Sequence, residues 1–261
     1  MLCYLKTKIK TQGQPKMKLS VVIPAYNEEG NISETVRTLY QVLQKEKIDH
    51  EIVVVNDNSK DNTLQILNDL KQSTPSLVFH TNPGPYGFGY AVRYGLEHFT
   101  GDCVAIMMAD LSDDPADLVK FYFTMRAQNC DCVFGNRWMR GGKVYDYPQP
   151  KRFLNRFVNN LISWSLGLKY NDLTNAFKLY KRETIYGLKP FLSPHFNLTL
   201  ELPLKAIVRK YSYTYIPNSW RNRKTGESKL KIREMGSRYF FIYLYCLIEK
   251  FFSKGDFKKS W

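Results

Sequence analysis

The chain has 261 residues, 44% of them hydrophobic, with 38 Lys and Arg against 24 Asp and Glu, a formal net charge of +14. That is enough apolar material for a substantial core in one α/β domain with an appendage, and no low-complexity tract or internal repeat stands out. Such a cationic excess implies an anionic partner (nucleic acid, an acidic lipid surface or a phosphorylated substrate), or else a solvated basic surface.

Residues 1–16 are basic and polar and read as a tail without the apolar core of a signal peptide, ahead of a natural start at Met17. Leu19 to Ile23 is a buried strand, and Asn31-Ile-Ser-Glu34 resembles a capping box opening a helix through Val36, Leu39 and Leu43. Glu51 to Val55 is a second strand, Leu64, Leu67 and Leu70 mark a second helix, and Leu77 to His80 is a third strand. The Gly-rich stretch 84–89 leads into a helix carrying Ala91, Val92 and Leu96. It follows the third strand rather than the first, so a dinucleotide fingerprint is a poor fit and a cleft floor approached by backbone a better one. Cys103 to Met107 is a fourth strand, and Asp114-Pro115 is a helix start before Leu118, Phe121 and Met125. Cys132 to Phe134 is a fifth strand.

Strands alternating with helices at this spacing predict a mostly parallel sheet with right-handed crossovers and helices on both faces. Ligands of such sheets bind at the carboxyl ends of the strands. Three polar, acid-bearing clusters fall there: Pro24-Ala25-Tyr26-Asn27-Glu28, Asn56-Asp57-Asn58-Ser59 and Asp110-Leu111-Ser112-Asp113. Each alone reads as a turn or helix cap; the three together read as a functional cleft.

The second half is less regular. Residues 151–168 set Lys151, Arg152 and Arg156 among aromatic and aliphatic residues and read as an amphipathic helix. Residues 218–231 read as a mobile polar loop, and 237–252 concentrate aromatics flanked by Arg233, Arg238, Lys250 and Lys254. The run Tyr239–Ile248 is far shorter than the roughly 20 residues that span a bilayer. It is a core helix, a membrane-surface helix or a dimer contact, and the flanking cations favour the membrane surface. The five cysteines are odd in number and lack metal-site spacing, so Cys103, Cys130 and Cys132 read as buried packing thiols of a reducing compartment. The four histidines are scattered.

These motifs converge on a resemblance. Val21–Glu29, Val55–Thr63, Gly87–Arg93, Ala109–Pro115, Gly135–Arg137 and Gly226–Leu230, in this order, resemble the family 2 glycosyltransferases of the GT-A fold. Within them the resemblance is to the polyprenyl-phosphate glycosyltransferases, which include dolichyl-phosphate mannose synthases. It implies a GT-A-type, Rossmann-like domain over residues 17–230; the aromatic and basic residues of 231–261 read by themselves as a C-terminal amphipathic helical segment. It implies inverting transfer of a sugar from a UDP- or GDP-linked donor to a polyprenyl phosphate, dependent on Mg²⁺ or Mn²⁺, at the cytoplasmic face of a membrane. No nucleic-acid module is recognisable.

Carried over by position, Pro24, Ala25, Tyr26, Glu28, Asp57 and Asp110 are nucleotide-binding, with Tyr26 and Asp57 at the base. Asp110 and Ser112 are the metal-side ligands, oxygen donors suited to a hard cation. Asp110 and Arg137 are catalytic, and Arg137, Arg152 and Arg223 hold the acceptor phosphate, which a guanidinium can fork. Asp172 and Thr174 match an Asp-x-Thr segment. The chain departs from the pattern at Asn56 and Met108, where relatives carry acids, and at Asn155, where serine is common. An ionised phosphate acceptor needs little general base. A saccharide hydroxyl would need one, with Asp172 the candidate, and Met108 raises a third reading, a non-catalytic nucleotide-sugar binder.

Overall fold

The computed structural model describes residues 16–223 and 232–259. The Gly226–Leu230 segment, most of the predicted loop 218–231 and nearly all of the N-terminal tail lie outside them, so those expectations have no structural counterpart here. In chain order the elements begin β1 (Leu19–Ala25), α1 (Ile32–Lys45), β2 (His50–Asn56), α2 (Thr63–Ser73), β3 (Leu77–Thr81), α3 (Phe88–His98), β4 (Cys103–Ile106), α4 (Pro115–Gln128) and β5 (Cys132–Asn136). There follow β6 (Lys143–Tyr145), α5 (Gln149–Leu166), β7 (Lys178–Lys181), α6 (Arg182–Gly187), α7 (Leu198–Val208), β8 (Tyr213–Pro217), β9 (Ser219–Arg221) and α8 (Ile232–Phe252).

The main sheet has the order β3-β2-β1-β4-β7-β5-β8. All neighbours pair in parallel except β7, which runs antiparallel to both β4 and β5. The order reverses between β1 and β4, whose register runs from Leu19↔Cys103 to Val22↔Ile106. This reversal is where an open α/β sheet leaves a crevice at its carboxyl edge. Strand side chains alternate between two cores. Val21, Ile23 and Val54 pack with α1, α2 and α4 on one face. Val22, Val53 and Val104 pack with α3, α5, α7 and α8 on the other. The predicted α/β architecture, with helices on both faces, is the one observed.

Local differences have physical causes. Asn31 makes no side-chain cap; its amide donates to Glu28 Oε2 instead, so the capping box is not formed. Asp114 does cap α4, accepting from Ala116 N at 2.9 Å, with Pro115 in the first turn. The strand β7 escaped prediction because lysines bracket its two apolar residues, and Lys178 is nonetheless buried. Helix α7 is masked in the sequence by Pro203 and by Glu201 and Lys205, which are fully buried and pair at 2.6 Å. Cys103, Cys130, Cys132 and Cys246 are buried free thiols, as packing requires.

Helix α8 divides lengthwise. Ile242, Cys246 and Glu249 are buried against the body of the protein. Glu249 receives Arg209 Nε at 2.7 Å and Nη2 at 3.0 Å, while Arg209 Nη1 reaches the carbonyls of Gly187 and Lys189. A buried pair of this kind is costly to break, because the survivor is left charged and unpartnered. Arg209→Ala is therefore expected to destabilise the fold by about 3–5 kcal/mol. The double change Arg209→Met with Glu249→Leu should recover most of that loss, read by thermal and denaturant unfolding.

Candidate functional site

The cleft at the β1/β4 reversal is built from three loops tied to one another. After β1, Asn27 takes a left-handed φ of 53°. Its backbone N–H donates to Ser59 Oγ and its side-chain oxygen accepts from Lys60 N, stitching this loop to the one after β2. Asp57 N donates to Ala25 O at 2.8 Å. Asp57 Oδ1 accepts from Asn82 Nδ2 at 2.7 Å, and Oδ2 from Gly87 N at 2.8 Å. Gly87 holds φ +135°, a conformation that favours glycine, so Asp57 fastens a Gly-rich loop that only glycine can shape there. Two residues on, a Cβ at Gly89 would lie 2.4 Å from the Pro194 carbonyl carbon, so α3 seats directly on the 193–195 backbone. Gly87 and Phe88 of this stretch line the cleft.

Asn56 accepts from Ser59 N at 3.2 Å and is buried behind the wall, where it shapes the turn. Pro24, Ala25, Tyr26, Glu28 and Asp57 line one cavity together with Met108, Asp110, Ser112, Asp113 and Arg137. The structure therefore brings the predicted nucleotide and metal residues together.

Asp110 Oδ1 accepts from Ser112 N at 3.0 Å across Leu111, which has a left-handed φ of 52°. Asp110 Oδ2 accepts from Arg223 Nε at 3.0 Å and Nη2 at 2.9 Å. The same Nη2 reaches Glu28 Oε1 at 3.1 Å. One guanidinium thus bridges the two acids, and their charges hold Arg223 above its ordinary pKa in spite of burial that works the other way. A cation seated between two carboxylates shows that this corner can hold positive charge. Asp110, Glu28 and the Ser112 hydroxyl are hard oxygen donors that suit Mg²⁺ or Mn²⁺; the thioether of Met108, which lines the same wall, does not. Among the described residues no cluster of three or more His, Cys, Asp or Glu could by itself hold a metal, so a bound cation would also need ligands from the substrate's phosphates.

Behind this corner lies a second charged group. Arg137 forks Asp172 through Nε at 2.9 Å and Nη2 at 2.7 Å, and its backbone N–H adds a third bond at 2.9 Å. Burial opposes the guanidinium's charge, but Asp172 outweighs it and holds the pKa above the usual value. Asp172 is fully buried and spent on Arg137, so it is not placed to take a proton from an acceptor hydroxyl. Thr174 accepts from Asn155 and Asn159 of α5, at 2.9 and 2.8 Å. Asn155 thus has a role of its own at the position where serine is common.

The arginines divide. Arg137 and Arg223 line the cavity, whereas Arg152 lies beside it, its guanidinium 5.4 Å from the centre of the Trp138 ring, which Arg156 and Arg137 also flank. Lys151, the neighbour of Arg152, lines the cavity. Tyr86 of the Gly-rich stretch lines it too, and sequence reasoning passed over Lys60, His195 and Phe196, which do the same. The last two sit in an irregular loop that carries no pattern in the sequence.

Asp113 belongs to a strand-end cluster that the sequence marks, whereas Lys178 is unforeseen, and both are buried. Burial pushes the Asp113 carboxyl up to about 8, reinforced by Asp110 and Asp117 and only partly offset by Arg137 and Lys178. Its Oδ1 is buried without a hydrogen-bond partner. Burial pulls Lys178 down to about 7. A carboxyl whose folded pKa is raised keeps a proton that the unfolded chain has lost, so its contribution to stability falls as pH rises between 3.8 and about 8. In metal-free buffer, Asp113→Asn should flatten the decline in melting temperature across that window; an unchanged slope would show that the group does not titrate there.

The cavity measures about 1200 Å³. It runs from the acid-bearing strand ends to an apolar end lined by Leu154, Val158, Leu161 and Ile162 of α5, Phe196, and Tyr239, Phe240 and Tyr243 of α8.

The chain is 30% identical over 219 residues to a dolichol-phosphate mannosyltransferase of Pyrococcus furiosus, covering 82% of this chain and 60% of that one. It is 26% identical over 223 residues to a polyprenol monophosphomannose synthase of Mycolicibacterium smegmatis, covering 83% and 82%. It thus spans about three fifths of the length of the first relative. The fold is shared with glucosyl-3-phosphoglycerate synthase from Mycobacterium tuberculosis, solved with Mn²⁺, uridine diphosphate and glucosyl-3-phosphoglycerate. The TM-score is 0.64 at 18% identity, over 90% of this chain and 80% of that one. The family model described as Glycosyl transferase family 2 matches residues 20–192, from β1 through the Arg137–Asp172 pair to α6, and the chain belongs to that family.

Proposed function

We propose that the chain is an inverting glycosyltransferase that moves a sugar from a nucleoside diphosphate sugar to a polyprenyl phosphate at a membrane surface. One observation carries this reading: a single cavity joins the acid-bearing strand ends to an apolar end between α5 and α8, with Arg137 and Lys151 in its wall. At about 1200 Å³ it exceeds the roughly 300–1,000 Å³ of an ordinary small-molecule pocket. Leu154, Val158, Leu161, Ile162 and Phe240 give part of its wall the apolar surface that suits a prenyl chain. The names of the Pyrococcus and Mycolicibacterium relatives support the same acceptor class.

Each residue then has a task. Tyr26 and Asp57 would border the base, uracil or guanine, of a UDP- or GDP-linked sugar donor. Asp110 and Ser112 would hold a divalent cation, which when bound neutralises charge on the departing diphosphate. Arg223, now on Asp110 and Glu28, and Arg137, fixed by Asp172, present guanidinium edges to phosphate oxygens. The acceptor phosphate has its second pKa near 6 and is already ionised at neutral pH, so no general base is needed. The engagement of Asp172 with Arg137 disfavours a hydroxyl acceptor. In this reading the described residues, none of whose helices is long and apolar enough to cross a membrane, meet the acceptor's bilayer from its cytoplasmic side.

The test is a transfer assay with polyprenyl phosphate, Mn²⁺ and UDP- or GDP-linked sugars, with product read by mass spectrometry. Product should form, chelation should abolish it, and Asp110→Asn should lower turnover by about a hundredfold or more, the scale of several kcal/mol of lost charge stabilisation. Thermal stabilisation by nucleotide with no product from any common donor would instead favour a non-catalytic binder.

A further inference from the structure

Three guanidiniums crowd the indole of Trp138. Those of Arg156, Arg152 and Arg137 lie 5.3, 5.4 and 5.7 Å from the ring centre. Like charges gathered around one ring repel one another, and attraction to the ring face offsets only part of that. Arg137 is balanced by Asp172, which its guanidinium forks at 2.9 and 2.7 Å. Arg152 and Arg156 have no such counterpart: among the described residues, neither guanidinium donates to an acceptor or pairs with an acid. From 138 to 157 the chain carries five Lys and Arg against one acid, Asp146, which pairs with none of them among the described residues.

The same cluster holds two orphaned donors. Arg156 Nη1 and Trp138 Nε1 are both buried, and neither reaches an acceptor. Such donors are uncommon, because each has lost its water and gained no bond in return. The ring has little freedom to carry its N–H elsewhere. Tyr147 meets it edge-on at 6.0 Å and itself packs on Trp220 at 4.9 Å. On the backbone side, Trp138 N donates to Asn136 Oδ1 at 3.0 Å.

Charge and donor chemistry select the occupant. Guanidinium and indole groups donate and do not accept, so what completes this cluster is an anion rich in acceptors. Donors from three separate side chains suit a tetrahedral oxyanion, whose oxygens point several ways, better than a flat carboxylate. Lys151, Arg137 and Arg223 line the large cavity, whereas Trp138, Arg152 and Arg156 do not. We propose that Trp138, Arg152 and Arg156 form a phosphate-binding site just outside that cavity, separate from any phosphate bound within it. Arg137 borders both, so the two anions would be one side chain apart. The site does not depend on the transferase reading.

The Trp138 indole N–H is a direct reporter. The chain has four tryptophans, so nitrogen-labelled protein gives four side-chain N–H signals in an NMR spectrum, and Trp138→Phe identifies the one that matters. Inorganic phosphate, water-soluble dihexanoyl phosphatidic acid and chloride are titrated at matched ionic strength. Phosphate should move the Trp138 signal downfield to saturation, and chloride should not. Arg152→Gln with Arg156→Gln should weaken the midpoint about tenfold or more, the scale of one lost hydrogen bond to a charged group. Lys151→Gln should leave it within about twofold, since Lys151 faces the cavity. Thermal melts establish that the variants fold; should the pair not fold, Arg152→Gln alone, at an exposed position, carries the test with a weakening of about threefold. Equal midpoints for the two phosphates support a site for free phosphate, and a tighter midpoint for the lipid supports a headgroup site. A signal that no phosphate moves, or that chloride moves equally, overturns the proposal. So does a midpoint indifferent to both arginines, or one that Lys151→Gln weakens as much as they do, which would return the anion to the cavity.

Discussion

Asp110 and Glu28 stand at the ends of neighbouring strands because β1 and β4 run in parallel and in register, and two carboxylates so placed repel unless a cation lies between them. Here the cation is Arg223, 2.9 Å from one acid and 3.1 Å from the other. Much of the site follows from that requirement. The strand β9 must come close enough to deliver Arg223, and it does so by bonding to the loop after β4: Arg221 N donates to Ser112 O and Ser219 N to Asp117 Oδ2. The loop after β1 must hold Glu28 still, which the Thr63 hydroxyl and the Asn31 amide accomplish. The electrostatic demand of one edge of the sheet thus organises segments that are nearly two hundred residues apart.

A second charge system stands one layer deeper and obeys a different rule. Arg137 and Asp172 are matched in geometry and buried together, so each stabilises the charge of the other. Asp113 and Lys178 are buried without comparable partners, and burial drives each towards its neutral form. The outer acids share the guanidinium of Arg223, and Asp172 holds the more deeply buried one of Arg137.

The sheet was legible in the sequence wherever apolar residues ran unbroken. β1, β2 and β4 are buried on both faces, and Val-Val-Ile, Ile-Val-Val-Val and Cys-Val-Ala-Ile say so directly. β7 was not, because Lys178 spends its ammonium on the Leu173 carbonyl and the Phe134 ring, and a lysine so used looks like surface. The acids at strand ends were legible by position, and the resemblance supplied their roles. What no one-dimensional pattern contains is the pairing across distance: that Asp172 would be committed to Arg137, that Arg152 would turn to Trp138 and leave Lys151 to the cavity, or that the loop at His195 and Phe196 would close its far wall. Those depend on which loops meet over the sheet edge. The split character of α8 lay between two of the sequence alternatives, since one stripe of the helix is core and the other is exposed.

The seat of α8 has a mechanical meaning. Arg209 grips Glu249 from α7, and past the end of the helix Lys259 reaches Asp131 beside β5 at 2.8 Å. Two ion pairs therefore hold α8 and the segment after it against the body of the protein. Tyr239, Phe240 and Tyr243, the α8 residues that line the cavity, take their position relative to Asp110 from that body and not from a free-standing helix.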